Sequence, residues 1–467
     1  MMRRRAPRIA VAIASVAALT AGLWGLSEWR PFAYDWPSQW DPRVEKLASY
    51  VERHAGFKFE HAVRSRFLKD AEFEKLVTTD EADLTKDDRN YYESTGLLLR
   101  TLGLASGKVD LFADQNTLNA GGILAYYSPE DREMVIRLGD AKASDELSPA
   151  LRGVVVHELT HALQDQRFGL SRMRERANDD GRAEAIDALI EGHALSVEES
   201  YVSDNFSDEE RQQYDEGTSA DESNKEMKAV PQSVTAQQLS PYAFGPVFVK
   251  ALEARGKKAL VDAFLKKQPT SLEQIVLPSK YFNHDNPEEI DLPDLPKKAK
   301  VGVAGQISQL DLFFLLSRTW GAPEALRLSD LWGNGAYVGY RVGGKFCASM
   351  NIRGDDASST DELRQAFGEW VKSPDRRSAK VTAHDGHFTV STCDPGPDAK
   401  IDLPTEDDTN QIFWRAGDIT YISRSEPNAD AECVATGLYT EFETTEFDTN
   451  PKVIDRYNEL IGSCRRD

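Results

Sequence analysis

The chain has 467 residues, more than one typical domain, and its 40% hydrophobic and 28% charged content is a normal globular balance able to bury a sizeable core. The formal net charge of −21 argues against nucleic acid as a partner, because non-specific binding to phosphate relies on basic patches. It fits a protein facing solvent and leaves the substrate open.

The first eight residues, MMRRRAPR, carry four arginines, and the eighteen residues from Ile9 to Leu26 carry no charge. A basic flank before an apolar run is the start of a membrane anchor or of a signal peptide. Eighteen residues are near the lower limit for spanning a bilayer, and Gly25-Leu26-Ser27 is a mediocre cleavage site. Residues 1–36 therefore read as a signal peptide or an N-terminal membrane anchor. Both choices make the rest extracytoplasmic, either secreted or tethered to the membrane by one helix.

PRVEKLASYVERHA predicts a helix, Lys58 to Leu68 a strand, and Asp70 onward a second helix, followed by another over Tyr91 to Leu104. GGILAYYSPEDREMVIRLG predicts a hairpin turning at Ser128-Pro129-Glu130-Asp131. Ser148 and Pro149 form a helix start, and Gly169 its stop. A further helix is expected from Arg182 to Tyr201. Residues 202–228 are polar and acidic and read as a mobile loop. Helical periodicity returns over Ser240 to Lys267, and the proline-rich stretch 285–300 is the linker candidate. Beyond it, helices are expected up to Trp332, then mostly strands: VGGKFCASMNI, SAKVTA, HFTVSTC, QIFWRA and DITYISR, with one helix at Asp361 to Lys372. TEDDTN, at Thr405 to Asn410, reads as a solvated acidic loop. Cys347, Cys393, Cys433 and Cys464 are even in number and lack C-x-x-C spacing, so in an exported protein they predict two disulfides, with three pairings open.

The chemistry lies in VVVHELTHALQDQ. Leu151, Val155, Leu159, Ala162 and Leu163 form a core-facing stripe, while His157 and His161 stand one turn apart on another side and can aim at one point. Two imidazoles supply two of the three protein ligands that catalytic zinc takes, and Glu158 beside the first can reach a water as general base. The expected cofactor is one zinc ion per chain. The third ligand should come from RAEAIDALIEGHALSVEE, in which Glu184, Asp187 and Glu191 share a helix face. Glu191, next to Gly192, is the choice, with Glu184 as its rival. His193 lies about 200° further round the helix and reads as a satisfied core histidine. Asp187 or Asp165 is expected to take the free N–H of a ligating histidine. His284, His384 and His387 have no metal spacing and read as surface residues.

HELTH with EGHA thirty residues later resembles the gluzincin zinc metallopeptidases, whose third ligand is a glutamate. GILAYYSPEDREMVI, SPYAFGPVFVKAL and PTSLEQIVLPSKY resemble blocks of a group of exported, mostly uncharacterised bacterial HELTHALQDQ proteins. This chain has Ser128 and His193 where that group often has aspartate, and neither change removes a ligand. The resemblance implies an edge strand in the hairpin that holds an extended peptide, and a tyrosine, Tyr242 or Tyr281, that stabilises an oxyanion.

The expected fold class is α+β. It comprises a zincin-like catalytic domain over 37–295, with a small sheet beside the active-site helix, and a smaller disulfide-bearing α/β domain over 296–467. The expected function is zinc-dependent hydrolysis of a peptide or protein substrate. Two alternatives stand beside it: a non-catalytic envelope scaffold, and a metal-dependent hydrolase of a non-protein envelope bond.

Overall fold

The computed structural model describes residues 36–139, 146–179, 182–219, 225–373, 376 and 378–465. The Ile9–Leu26 segment lies outside the described residues, and with it the choice between anchor and signal peptide. No helix among the described residues is long and apolar enough to cross a membrane.

Among the described residues helix makes up 58% and strand 13%, with those strands gathered into two sheets, which is an α+β architecture. The first helix among the described residues is α1 (Glu45–Ala55), whose buried Leu47, Val51 and Ala55 recur at helical spacing. Strand β1 (Arg64–Leu68) is shorter than expected. The Glu60 and His61 amides are taken by Gln166 Oε1, at 2.8 and 3.2 Å, so pairing starts only at Arg64. Then come α2 (Asp70–Val77), α3 (Lys86–Leu102) and α4 (Leu111–Gly122), the last not foreseen from sequence. The predicted hairpin is β2 (Ala125–Ser128) with β3 (Glu133–Arg137), joined antiparallel. Helix α5 (Pro149–Phe168) starts where Ser148 Oγ accepts the Leu151 amide and stops at Gly169 in the left-handed region, φ 71°.

Helices α6 (Leu170–Asp179) and α7 (Ala183–Asn205) follow. The stretch expected as a mobile loop instead carries α8 (Asp208–Thr218) and α9 (Lys225–Ala229). Ser207 and Glu210 form a reciprocal cap that starts α8, and its acidic residues face solvent while Tyr214 and Thr218 pack inward. Next are α10 (Gln232–Ala254), α11 (Lys257–Leu265), α12 (Leu272–Val276) and α13 (Pro278–Phe282). Residues 285–299 have no regular structure. After them run β4 (Lys300–Gln306), α14 (Gln309–Trp320), α15 (Ala322–Ser329), β5 (Trp332–Val342), β6 (Lys345–Gly354) and α16 (Ala357–Trp370). Strands β7 (Lys380–Ala383) and β8 (Phe388–Cys393) match SAKVTA and HFTVSTC.

QIFWRA and DITYISR are not strands. They form one helix, α17 (Glu406–Ser425), in which burial recurs at Asp408, Ile412, Arg415, Ile419 and Ile422. The acidic TEDDTN is its reciprocal cap and first turn, with Thr405 and Asp408 bonding each other's amides. Helices α18 (Ala431–Tyr439) and α19 (Pro451–Ser463) close the chain.

These elements gather into two compact units that interleave along the sequence, whereas one boundary after residue 295 was expected. The first unit holds the described residues up to Leu84, Asp114–Ala229 and Arg255–Gln268. Its sheet has the order β1-β3-β2, and its core packs α1, β2, β3 and α7 around α5. The second unit holds Thr85–Ala113, Val230–Ala254 and the chain from Pro269 onward. The stretch 285–299 is therefore inside one unit. That unit's sheet, β4-β5-β6-β8-β7, is antiparallel at every pairing, so this part too is α+β rather than α/β. Cys347 and Cys393 face each other across β6 and β8 and are bonded, and Cys433 bonds Cys464. Two disulfides are consistent with an extracytoplasmic protein.

Candidate metal centre

Helices α5 and α7 are buried on nearly every side where they pack, which places polar side chains in the core. The expected dry stripe from Leu151 to Leu163 is buried, and so are His157, Glu158 and His161 on the other faces. Facing them from α7 is Glu191, only 4% exposed. A carboxylate and two imidazoles in such a place must be mutually satisfied, since unpaired buried charge is costly.

They meet at one point. Glu191 Oε2 lies 3.1 Å from His157 Nε2 and 3.1 Å from His161 Nε2. The other ring nitrogens are committed elsewhere. His157 Nδ1 is 2.9 Å from Glu198 Oε2, a carboxylate that accepts its proton. Gln164 spends its amide N–H groups on Ile190 O at 2.9 Å and His193 Nδ1 at 3.0 Å, leaving its oxygen to accept from His161 Nδ1 at 2.9 Å. Both Nε2 lone pairs therefore converge on a carboxylate oxygen, and only a proton or a cation reconciles three acceptors so placed. The protein groups respond accordingly. Burial pulls the His157 imidazole down, but Glu191 and Glu198 outweigh it and push it up to about 10. Burial pushes the Glu191 carboxyl up, and the two histidines overcome this and hold it far below the usual carboxylate range.

Spacings of 3.1 Å approach the edge of a tetrahedron, about 3.3 Å, drawn by ligands 2.0–2.1 Å from a central ion. Two imidazoles and one carboxylate are also the donor set that zinc takes in catalytic sites. Glu158 completes the cluster. Its ligand oxygen lies within 4.8 Å of the two imidazoles. Oε2 accepts the Tyr127 amide of β2 at 2.7 Å, while Oε1 is buried with no hydrogen-bond partner. Burial pushes this carboxyl well above its ordinary range, opposed by positive charge on His157. An orphaned acceptor beside a cation-shaped cluster fits a bound water there.

The chain matches no family model, no curated protein and no solved structure.

His157, Glu158, His161 and Glu191 are brought together, and Glu191 rather than its rival Glu184 puts an oxygen on both imidazoles. The expected partners of the histidine N–H groups are corrected. Asp187 pairs with Arg174 of α6 at 2.9 Å, and Asp165 accepts from Tyr127 OH at 3.0 Å and the Leu170 amide at 2.9 Å. Glu198 and Gln164 take the role instead. Both were readable: Glu198 continues the Glu184–Asp187–Glu191 stripe by seven residues, and Gln164 stands three after His161. Arg174 NH2, 3.6 Å from Glu191 Oε1, steadies the oxygen that does not face the histidines. His193 is buried, bonded to Gln164 and edge-on to Phe264, as a core histidine.

Tyr242 is buried on α10 and Tyr281 packs edge-on against Phe248, both in the second unit. Of His384 and His387, both expected at the surface, the first is exposed and the second half-buried, and they stack across the β7–β8 turn with ring centres 4.7 Å apart.

Proposed function

We propose that this chain is a zinc-dependent metallopeptidase acting outside the cytoplasm, with a zincin-like first unit. The observation that carries the reading is the convergence of His157 Nε2, His161 Nε2 and Glu191 Oε2 at 3.1 Å beside the unpartnered Glu158 Oε1. A zinc ion held by those three atoms supplies Lewis acidity to a carbonyl and lowers the pKa of a neighbouring water toward neutrality. Glu158 then does the proton work. With Oε2 fixed by the Tyr127 amide, Oε1 takes the proton from water attacking the scissile carbonyl and returns it to the leaving amine nitrogen. Glu198 and Gln164 keep both imidazoles in the tautomer that points a lone pair inward.

A peptide substrate is supported by the sheet order. Strand β2 is one of the two outer strands of β1-β3-β2, and its Tyr127 amide is already directed at Glu158. An extended chain paired along that edge would bring its own carbonyls past Glu158.

The test is metal content and turnover on the purified protein. We expect one zinc per chain, lost or sharply weakened in His161→Ala and Glu191→Gln. Glu158→Gln should keep its zinc while peptide cleavage falls by about 10²–10⁴-fold. Undiminished cleavage by Glu158→Gln removes the base assignment. Zinc bound without cleavage of any member of a broad peptide library turns the reading toward an envelope scaffold or a non-protein bond.

A further inference from the structure

Glu198 is fully buried on α7, two turns beyond Glu191, and each of its oxygens has a different task. Oε2 meets His157 Nδ1 at 2.9 Å, and Oε1 accepts the Tyr214 hydroxyl at 2.8 Å. Tyr214 comes from α8, a separate helix, and reaches this depth through a notch in α5 at Gly153. A Cβ at Gly153 would overlap the Tyr214 ring and come within 3.2 Å of Glu198 Oε1. A second close approach repeats the pattern in reverse, since a Cβ at Gly217 of α8 would lie 2.7 Å from Ala150 Cβ on α5. Arg152 of α5 fastens the same helix, pairing with Glu210 at 2.5 Å and lying over the Phe206 ring.

We propose that Tyr214 and Glu198 are positioning residues that aim His157 at the cation, with Gly153 keeping their approach open. This rests on the reading of His157, His161 and Glu191 as the metal site. The physical reason is rotational. A carboxylate held only through Oε2 can swing and let the imidazole turn, whereas one whose Oε1 is also fixed cannot. Outer partners of this kind typically change metal affinity by about 10–100-fold. Tyr214 donates as a neutral phenol, since burial beside Glu198 raises its ionisation far above the usual range. An acidic helix far from the motif in sequence thereby becomes part of the site.

Tyr214→Phe is the deciding variant, because it keeps the ring in the notch and removes only the hydroxyl. The measurements, on the full chain, are zinc affinity by chelator competition and the visible spectrum of the cobalt-substituted protein. We expect Tyr214→Phe to weaken zinc by about tenfold and Glu198→Gln by up to about 100-fold. Both should shift the cobalt bands while the melting temperature of Tyr214→Phe stays near that of the parent. Gly153→Ala, which expels the ring, should reproduce the loss. Zinc affinity of Tyr214→Phe within twofold of the parent, with an unchanged cobalt spectrum, overturns the positioning role and leaves the metal site standing. A parent chain that takes up neither metal overturns both.

Discussion

Asp394 and Arg100 show how this chain keeps charge inside. Arg100 Nε and NH2 reach Asp394 Oδ1 and Oδ2 at 2.8 and 2.6 Å, its NH1 meets Gly107 O, and the Gly396 amide adds a fourth bond. Burial pushes the Asp394 carboxyl up, but Arg100 and the Gly396 amide outweigh this and hold it below the usual carboxylate range. The folded value is depressed relative to the unfolded one, near about 3.9. Its stabilisation is thus present above that pH and is lost as pH falls through the folded value. Asp394→Asn should cost about 3 kcal/mol at pH 7, because it strands the buried Arg100 charge. The deficit against the parent should shrink in urea melts below about pH 3. An equal deficit at pH 7 and at about pH 2 would show that the pair's charge is not what the protein uses. The same accounting explains which site residues were legible. His157, Glu158, His161 and Glu191 follow from spacing along two helices. Asp187 follows the same spacing but is claimed by Arg174, a tertiary neighbour that periodicity does not reveal.

Among the elements, the motif-bearing helix is legible because cap, periodicity and stop residue agree, while the hairpin, α1 and α2 show through residue pattern, neither of those helices having a side-chain cap. The errors have a common form. QIFWRA and DITYISR each look like a short strand because β-prone residues cluster on both sides of Gly417. Only a window of twenty residues shows burial recurring every three to four positions, from Asp408 to Ile422. Residues 202–228 err the other way, since an acidic helix with one contacting stripe has the composition of a loop. Local signals did exist, in the reciprocal caps at Thr405–Asp408 and Ser207–Glu210. The α17 cap gives a direct check. Thr405→Ala should lower stability by about 1 kcal/mol and Thr405→Ser should recover most of it, as read by denaturant midpoint. Equal stability of all three would mean that packing alone, through Ile412, Ala416 and Ile419, sets where α17 begins.

At the level of the whole chain, the consequence of interleaving is that no single cut separates the units. A chain ending at residue 295 contains the entire motif region but also α3 and α10, which belong to the second unit. Helix α10 buries Phe244 edge-on to Phe413 of α17, and α3 sends Arg100 to Asp394 after β8. Residues 37–295 alone would expose the first as an apolar surface and leave the second as an unpaired cation. Both disulfides also lie beyond the cut. We therefore expect the truncated chain to aggregate or to unfold without a cooperative transition, and to bind zinc far more weakly than the full chain. Calorimetry and metal titration on the two lengths provide the comparison. A sharp transition and parental zinc affinity in the truncated chain would show that Lys86–Leu102 and Gln232–Ala254 fold well enough without the rest of the second unit. In that case the boundary after residue 295 would be the working one.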